Sequence, residues 1–205
     1  MKRRSFLAAL TLAPMALAAP AAAQPIPLAE ISRYFNSFLT AQADFTQINP
    51  DGTLSTGRLM IRRPGRIRFE YDAPDRTLVL ASAGSVFIFD ARSNAGPTTY
   101  PLSRTPLALI LDDPVNLDRA DMIVGHTQDG PVTTLVAQDP DHPEYGSIRL
   151  AFSANPTELR QWVVADDTGQ ETTVILGTFR TGVTLGSLLF NLDAELQRRG
   201  LSTNR

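Results

Sequence analysis

The feature that most constrains this chain is a seven-residue run whose side chains change character at every step. Between Arg66 and Asp72, the apolar Ile67, Phe69 and Tyr71 alternate with the charged Arg66, Arg68, Glu70 and Asp72. A period of two puts one set on each side of an extended backbone, which predicts a half-buried strand. Residues 56–63 read as the strand before it, and Arg63-Pro64-Gly65-Arg66 supplies the proline and glycine of a hairpin turn. More short strands are predicted at residues 77–81, 85–90, 132–137, 147–152, 158–166 and 171–180, with Ala83-Gly84 and Asp167-Thr168-Gly169 as turns. Helical spacing is rarer. Leu28, Ile31, Phe35, Phe38 and Leu39 recur at steps of three and four, the face of an amphipathic helix. Thr105-Pro106 is a helix-start signal, because a Thr oxygen can cap free N–H groups and proline fits the first turn. The helix it opens, residues 107–111, is apolar throughout, so it must be covered on several sides or itself cover something apolar. Residues 191–199 form a last polar segment with helical character, ending at Gly200, while residues 92–101 and 139–146 read as ordinary surface loops. Many short strands with few helices predict a mainly β (α+β) protein: one antiparallel sheet curved round a core and covered by helices.

Ahead of this pattern lies a leader. Lys2, Arg3 and Arg4 precede an apolar run from Phe6 to Ala19, and Ala21-Ala22-Ala23 makes a small-residue cleavage site before Gln24. Pro14 and Pro20 interrupt a stretch already shorter than the ~20 residues a membrane span needs. The expected organisation is therefore a cleaved signal peptide over residues 1–23 and a single domain over 24–205. Arg3-Arg4-Ser5-Phe6-Leu7 also fits a twin-arginine pattern, so the two export routes both remain open. Cleavage removes three positive charges and no negative ones, taking the formal charge of −2 to −5. The expected product is an acidic monomer in the periplasm. Its charge is wrong for a protein that neutralises many phosphates, so nucleic acid is not an expected partner.

The composition also removes much chemistry. Cysteine is absent, which excludes disulfides, thiolate metal sites and a lipidated N-terminal Cys. The two histidines, His126 and His142, fall in different polar segments, and no nucleophile-elbow, metalloprotease, dinucleotide or phosphate-loop motif occurs. Asp139, Asp141, His142 and Glu144 could together face a divalent ion, but Pro140 and Pro143 in the same six residues favour a solvated turn. No enzymatic activity, cofactor or metal is expected.

The hairpin region and its neighbours carry a family resemblance. Phe45-Thr46-Gln47, then Gly57-Arg58-Leu59-Met60-Ile61-Arg62-Arg63-Pro64 with the aromatic-rich run to Tyr71, then Ala73-Pro74-Asp75, resemble the periplasmic outer-membrane lipoprotein carriers of the LolA family. Gly84 to Asp90, Thr105-Pro106 with the apolar helix, Asp167-Thr168-Gly169-Gln170 and Leu189-Phe190 follow in that family's order. The resemblance implies an incomplete antiparallel half-barrel closed by short lid helices over an apolar cavity. It implies a carrier that takes acylated lipoproteins from an inner-membrane ABC-type release complex to an outer-membrane acceptor lipoprotein. The need is physical: an acyl chain of about 16 carbons costs on the order of 12 kcal/mol to expose to water at ~0.8 kcal/mol per methylene.

The candidate acyl-chain walls are the apolar sides of the strands: Leu59, Ile61, Ile67, Phe69, Tyr71, Val86, Ile88, Ile148, Leu150 and Phe152. Phe35, Phe38, Leu107, Ile110 and Leu111 are the candidate lid. The pattern does not distinguish a cavity wall from a solid core, and a one-residue slip would exchange the faces. In the resembling family the arginine before the motif's proline, here Arg63, hydrogen-bonds to lid helices; a solvated hairpin-end arginine is the alternative. Ile67 matches a bulky apolar position that bears on cargo and transfer. The rival function on the same fold is a periplasmic lipid- or amphiphile-binding or sensing module.

Overall fold

A computed structural model describes residues 24–201 except 92, 94 and 106. The expected leader and Pro106 of the helix-start signal lie outside the described residues. The chain runs α1 (Leu28–Asn36), β1 (Thr40–Ile48), β2 (Leu54–Arg62), β3 (Arg66–Tyr71), β4 (Leu78–Ser82), β5 (Ser85–Phe89), β6 (Thr98–Pro101), α2 (Leu107–Leu111), β7 (Ile123–Asp129), β8 (Val132–Gln138), β9 (Ser147–Ser153), β10 (Glu158–Ala165), β11 (Glu171–Leu176), β12 (Arg180–Thr181) and α3 (Leu192–Arg198).

All strand pairs are antiparallel, in the order β6-β5-β4-β3-β2-β1-β11-β10-β9-β8-β7, with the short β12 also on β1. The ends β6 and β7 are not paired with each other, so the sheet is open, as the incomplete half-barrel implied by the family resemblance would be. Its middle is the long β1 and β2 pairing, in register from Thr40↔Arg62 to Ile48↔Leu54. One glycine permits the close fit there: a Cβ on Gly57 would stand 2.2 Å from the Glu70 carbonyl oxygen and 2.8 Å from the Phe45 ring.

Several boundaries differ from the sequence reading. The first helix stops at Asn36, so Phe38 is a loop residue, buried all the same, and Leu39 is 57% exposed. Strand β1 begins at Thr40, well before the change of pattern at Phe45, because its inward residues Ala41 and Ala43 are too small to mark a face by hydropathy. Residues 98–101 of the expected surface loop are edge strand β6, hydrogen-bonded to β5. Strand β7 was not predicted; its alternation of Ile123, Gly125 and Thr127 is too weak to read. Strand β11 ends at Leu176 instead of 180: Gly177 donates its N–H to the Asp44 carbonyl at 2.8 Å, and Arg180 joins β1 as part of β12. The Thr105 hydroxyl donates to the Leu102 carbonyl at 2.8 Å, in the turn before α2.

The core lies on the concave side of the sheet, under α1 and α2. A second, smaller layer was not expected. On the convex side of β2 to β4, Met60, Arg68 and Leu80 are buried beneath Phe190 and the approach to α3. The charged face of the Arg66 to Asp72 strand is thus covered at Arg68, and that strand is buried on both sides.

Candidate functional site

Strands β2 and β3 send Leu59, Ile61, Ile67 and Phe69 to the concave side, all with at most 6% exposure. Ile148, Leu150 and Phe152 of β9 and Val86 of β5 face the same space and are equally buried, while Tyr71 and Ile88 are partly buried against it. From above, Phe35 and Phe38 with Ile110 and Leu111 close on these strands, and Leu107 packs at the margin. All fifteen residues expected to form walls and lid therefore meet in one apolar assembly. Their alternation in sequence reflects the pleat, which turns every second side chain inward.

Aromatic rings join helix to strand and strand to strand across the core. Phe35 meets Phe152 edge-on at 5.9 Å between centroids, and Phe69 meets Trp162 of β10 at 6.0 Å. Trp162, Phe45 and Leu135 belong to the same core. Sequence reasoning left these three out of the wall, although the β10 pattern carries the signal for Trp162.

Arg63 ties the ends of α1 and α2 to the end of β2. It follows β2 at the mouth of the half-barrel, where its side chain is completely shielded from solvent. Its Nη1 donates to the carbonyls of Phe35 and Phe38, Nε donates to the Asp112 carbonyl at 2.9 Å, and Nη2 donates to Asn36 Oδ1 at 3.1 Å. One guanidinium thus reaches carbonyls at the C-terminal ends of both lid helices, where free acceptors and the negative end of the helix dipole coincide. Asp113 adds an ion contact at 3.7 Å. Burial lowers the Arg63 pKa, and the charges of Asp113 and Asp112 oppose that effect; an arginine stays charged in either case. The adjacent turn adds a bond from Gly65 N–H to the Leu111 carbonyl, 2.9 Å.

Two lid residues escaped the sequence reading. Asn36 Oδ1 also accepts from Val115 N–H at 2.9 Å, and its Nδ2 donates to the Val115 carbonyl at 2.8 Å. Ser32 Oγ accepts from Leu117 N–H at 3.0 Å. Together they sew α1 to the segment that follows α2, so the two lid elements form one piece. A polar residue at a helix end was the available signal for Asn36.

The Asp139 to Glu144 loop is a turn. Asp139 Oδ1 accepts from the N–H groups of Asp141 and His142 at 3.0 and 3.2 Å, and His142 pairs with Glu144 at 3.0 Å. Among the described residues no group of three or more metal-ligating side chains converges.

An open antiparallel sheet whose apolar concave face is covered by two helices tied at their ends suits a binding protein for an apolar guest. Residues 36–193 match the family described as "Outer membrane lipoprotein carrier protein LolA". The chain belongs to that family. Curated relatives named outer-membrane lipoprotein carrier protein include one from Methylococcus capsulatus, 26% identical over 83% of this chain and 85% of the relative. Another, from Nitrosomonas europaea, is 28% identical over 78% and 81%. A solved LolA superfamily protein from Nitrosomonas europaea covers 80% of this chain and 94% of its own, with 10% identity and a TM-score of 0.42.

Proposed function

We propose that this chain is a periplasmic carrier that shelters the acyl chains of lipoproteins in the half-barrel and takes them to the outer membrane. The observation that carries the reading is the Arg63 clamp, a fully shielded guanidinium tying both lid helices over an apolar concave face. Burial of four lid side chains, Phe35, Phe38, Ile110 and Leu111, contributes about 1.5–3 kcal/mol each, hence about 6–12 kcal/mol. One acyl chain of about 16 carbons contributes on the order of 12 kcal/mol by the same effect. Uncovering the lid therefore costs an amount of the same order as burial of one acyl chain returns, and a guest with more than one chain can displace it. The clamp suits such an exchange, because its acceptors are mostly backbone carbonyls at helix ends that water can satisfy once the lid lifts.

The reading assigns the fifteen wall and lid residues to guest contact and Arg63 to lid closure, within one carrier domain from residue 24. No helix among the described residues is long and apolar enough to cross a membrane. The donor in this scheme is an inner-membrane ABC-type release complex and the recipient an outer-membrane acceptor lipoprotein. Carriage makes and breaks no covalent bond, so the residues act by shape and apolar contact.

The test is release. Spheroplasts holding a labelled outer-membrane lipoprotein are incubated with the purified protein, and the soluble fraction is analysed. A soluble one-to-one complex that requires the acyl chains is the expected result. No release, with free fatty acid or phospholipid bound instead, would move the function to another amphiphile.

A further inference from the structure

Tyr34 stands apart from the rest of the lid. It lies on α1, one residue before Phe35, and its ring is packed among Phe35, Phe38, Phe152 and Phe179 at centroid distances of 5.3 to 6.4 Å. The residue as a whole is partly exposed, yet its hydroxyl is shielded, so the polar tip is the inner end of the side chain. That hydroxyl is the sole buried side-chain polar atom without a hydrogen-bond partner among the described residues.

Comparison with Tyr71 sharpens the point. Burial pushes both phenols up to about 12, so both keep their proton at any physiological pH. Tyr71 donates that proton to Gln47 Oε1 at 2.6 Å. Around the Tyr34 hydroxyl stand the Leu159 backbone, whose N–H can meet an oxygen lone pair but cannot accept a proton, and the charges of Glu158 and Arg160, which pair with each other at 2.8 Å. Tyr34 therefore holds an unspent, shielded O–H donor beside the aromatic cluster of α1 and β9. A buried donor left unmade costs free energy, and a phenylalanine would fill the same space without that cost.

Resting on the carrier reading above, we infer that the Tyr34 hydroxyl is a binding group for the guest, donating to an ester carbonyl where acyl chains join their glyceryl head. Acyl chains alone offer no acceptor, and the ester carbonyls are the acceptors that enter an apolar cleft together with them. The closed lid then carries an unpaired donor that the loaded state satisfies, which favours loading. It also gives the site a means of distinguishing a diacylglyceryl group from a plain hydrocarbon, since a buried donor discriminates strongly between partners with and without an acceptor.

The test compares two synthetic lipopeptides with identical chains, one diacylglyceryl with ester links and one dialkylglyceryl with ether links. Both are titrated against the wild-type protein without its leader and against Tyr34→Phe. The wild type is expected to bind the ester form about three- to tenfold more tightly, the worth of one neutral hydrogen bond. Tyr34→Phe should bind the ether form as the wild type does and lose the preference. Equal affinity of the wild type for both probes overturns the inference and leaves the carrier reading standing. So does a Tyr34→Phe variant that keeps the preference, or one that loses both probes equally, since its ring would then act by packing alone. Binding of neither probe by the wild type would overturn the carrier reading, and this inference with it.

Discussion

A guanidinium has five N–H donors, and Arg63 finds its acceptors where α1 and α2 end side by side. Replacing it by leucine removes the donors and strands the Phe35 and Asp112 carbonyls. Arg63→Leu is expected to keep the sheet and to lose about 1–3 kcal/mol of stability. The loss should be read by urea unfolding. A rise in apolar-dye binding, with faster amide exchange in α1 and α2 than in the sheet, would locate it in the lid. Unchanged exchange in both helices would remove Arg63 from lid closure. Its neighbour Arg62 shows how little the local sequence decides. The two arginines are adjacent and chemically identical, yet the β2 pleat and the turn after it bury one and leave the other partly exposed.

At the scale of elements, the C-terminal strap holds to the convex side of the sheet through a buried charge. Glu195, 2% exposed, accepts from Arg68 Nη2 at 3.0 Å and from Arg199 Nε at 2.8 Å, and also pairs with Arg198. Arg199 stacks over Phe89 at 4.7 Å, and Ser82 Oγ donates to the Phe190 carbonyl at 2.7 Å. Burial alone would raise the Glu195 pKa, but the Arg199 hydrogen bond and the Arg68 charge outweigh it and hold the carboxyl below its ordinary 4.5. A folded-state pKa below the unfolded one means stabilisation present above pH 4.5 and lost as pH falls through the folded value. Limited proteolysis of the strap should accelerate on that descent in the wild type. In Glu195→Gln it should be faster at neutral pH and flatter with acid, because the variant has no proton to take up there. Strand spacing makes a second prediction. Gly57→Ala places a methyl against the tip of the Phe45 ring and against the Glu70 backbone carbonyl, and that carbonyl cannot yield without opening the β2 and β3 pairing. The cost is expected at about 1–3 kcal/mol or more, measured by thermal or urea unfolding.

For the whole molecule, guest entry must rearrange the concave core, and the sequence supplies its own reporter. Trp162 is the chain's one tryptophan, 2% exposed and edge-on to Phe69. A bromine-labelled acyl chain that enters the half-barrel should quench its emission, while a soluble bromide salt should not. Quenching by both alike would place the guest elsewhere or show the core open without it.

Sequence and tertiary structure divided the outcome along physical lines. Period-two alternation in β2, β3 and β9 determined which side chains share a face, because the pleat is a property of every strand whatever its partners. The apolar composition of α2 likewise determined that it must cover something. The order of motifs from Phe45 to Phe190 carried the family. What the sequence left open concerned groups brought together from far apart in the chain. Ala41 and Ala43 are core residues because β1 lies mid-sheet opposite Ile61 and Leu59 of β2, a placement no local pattern records. Arg68 reads as a solvated charge, and it is buried because Glu195 lies 127 residues further along and α3 folds across the convex face. Arg63 could have been a surface residue by its local pattern. The end of β2 places its side chain between two helix ends, and that meeting is a matter of chain topology rather than propensity.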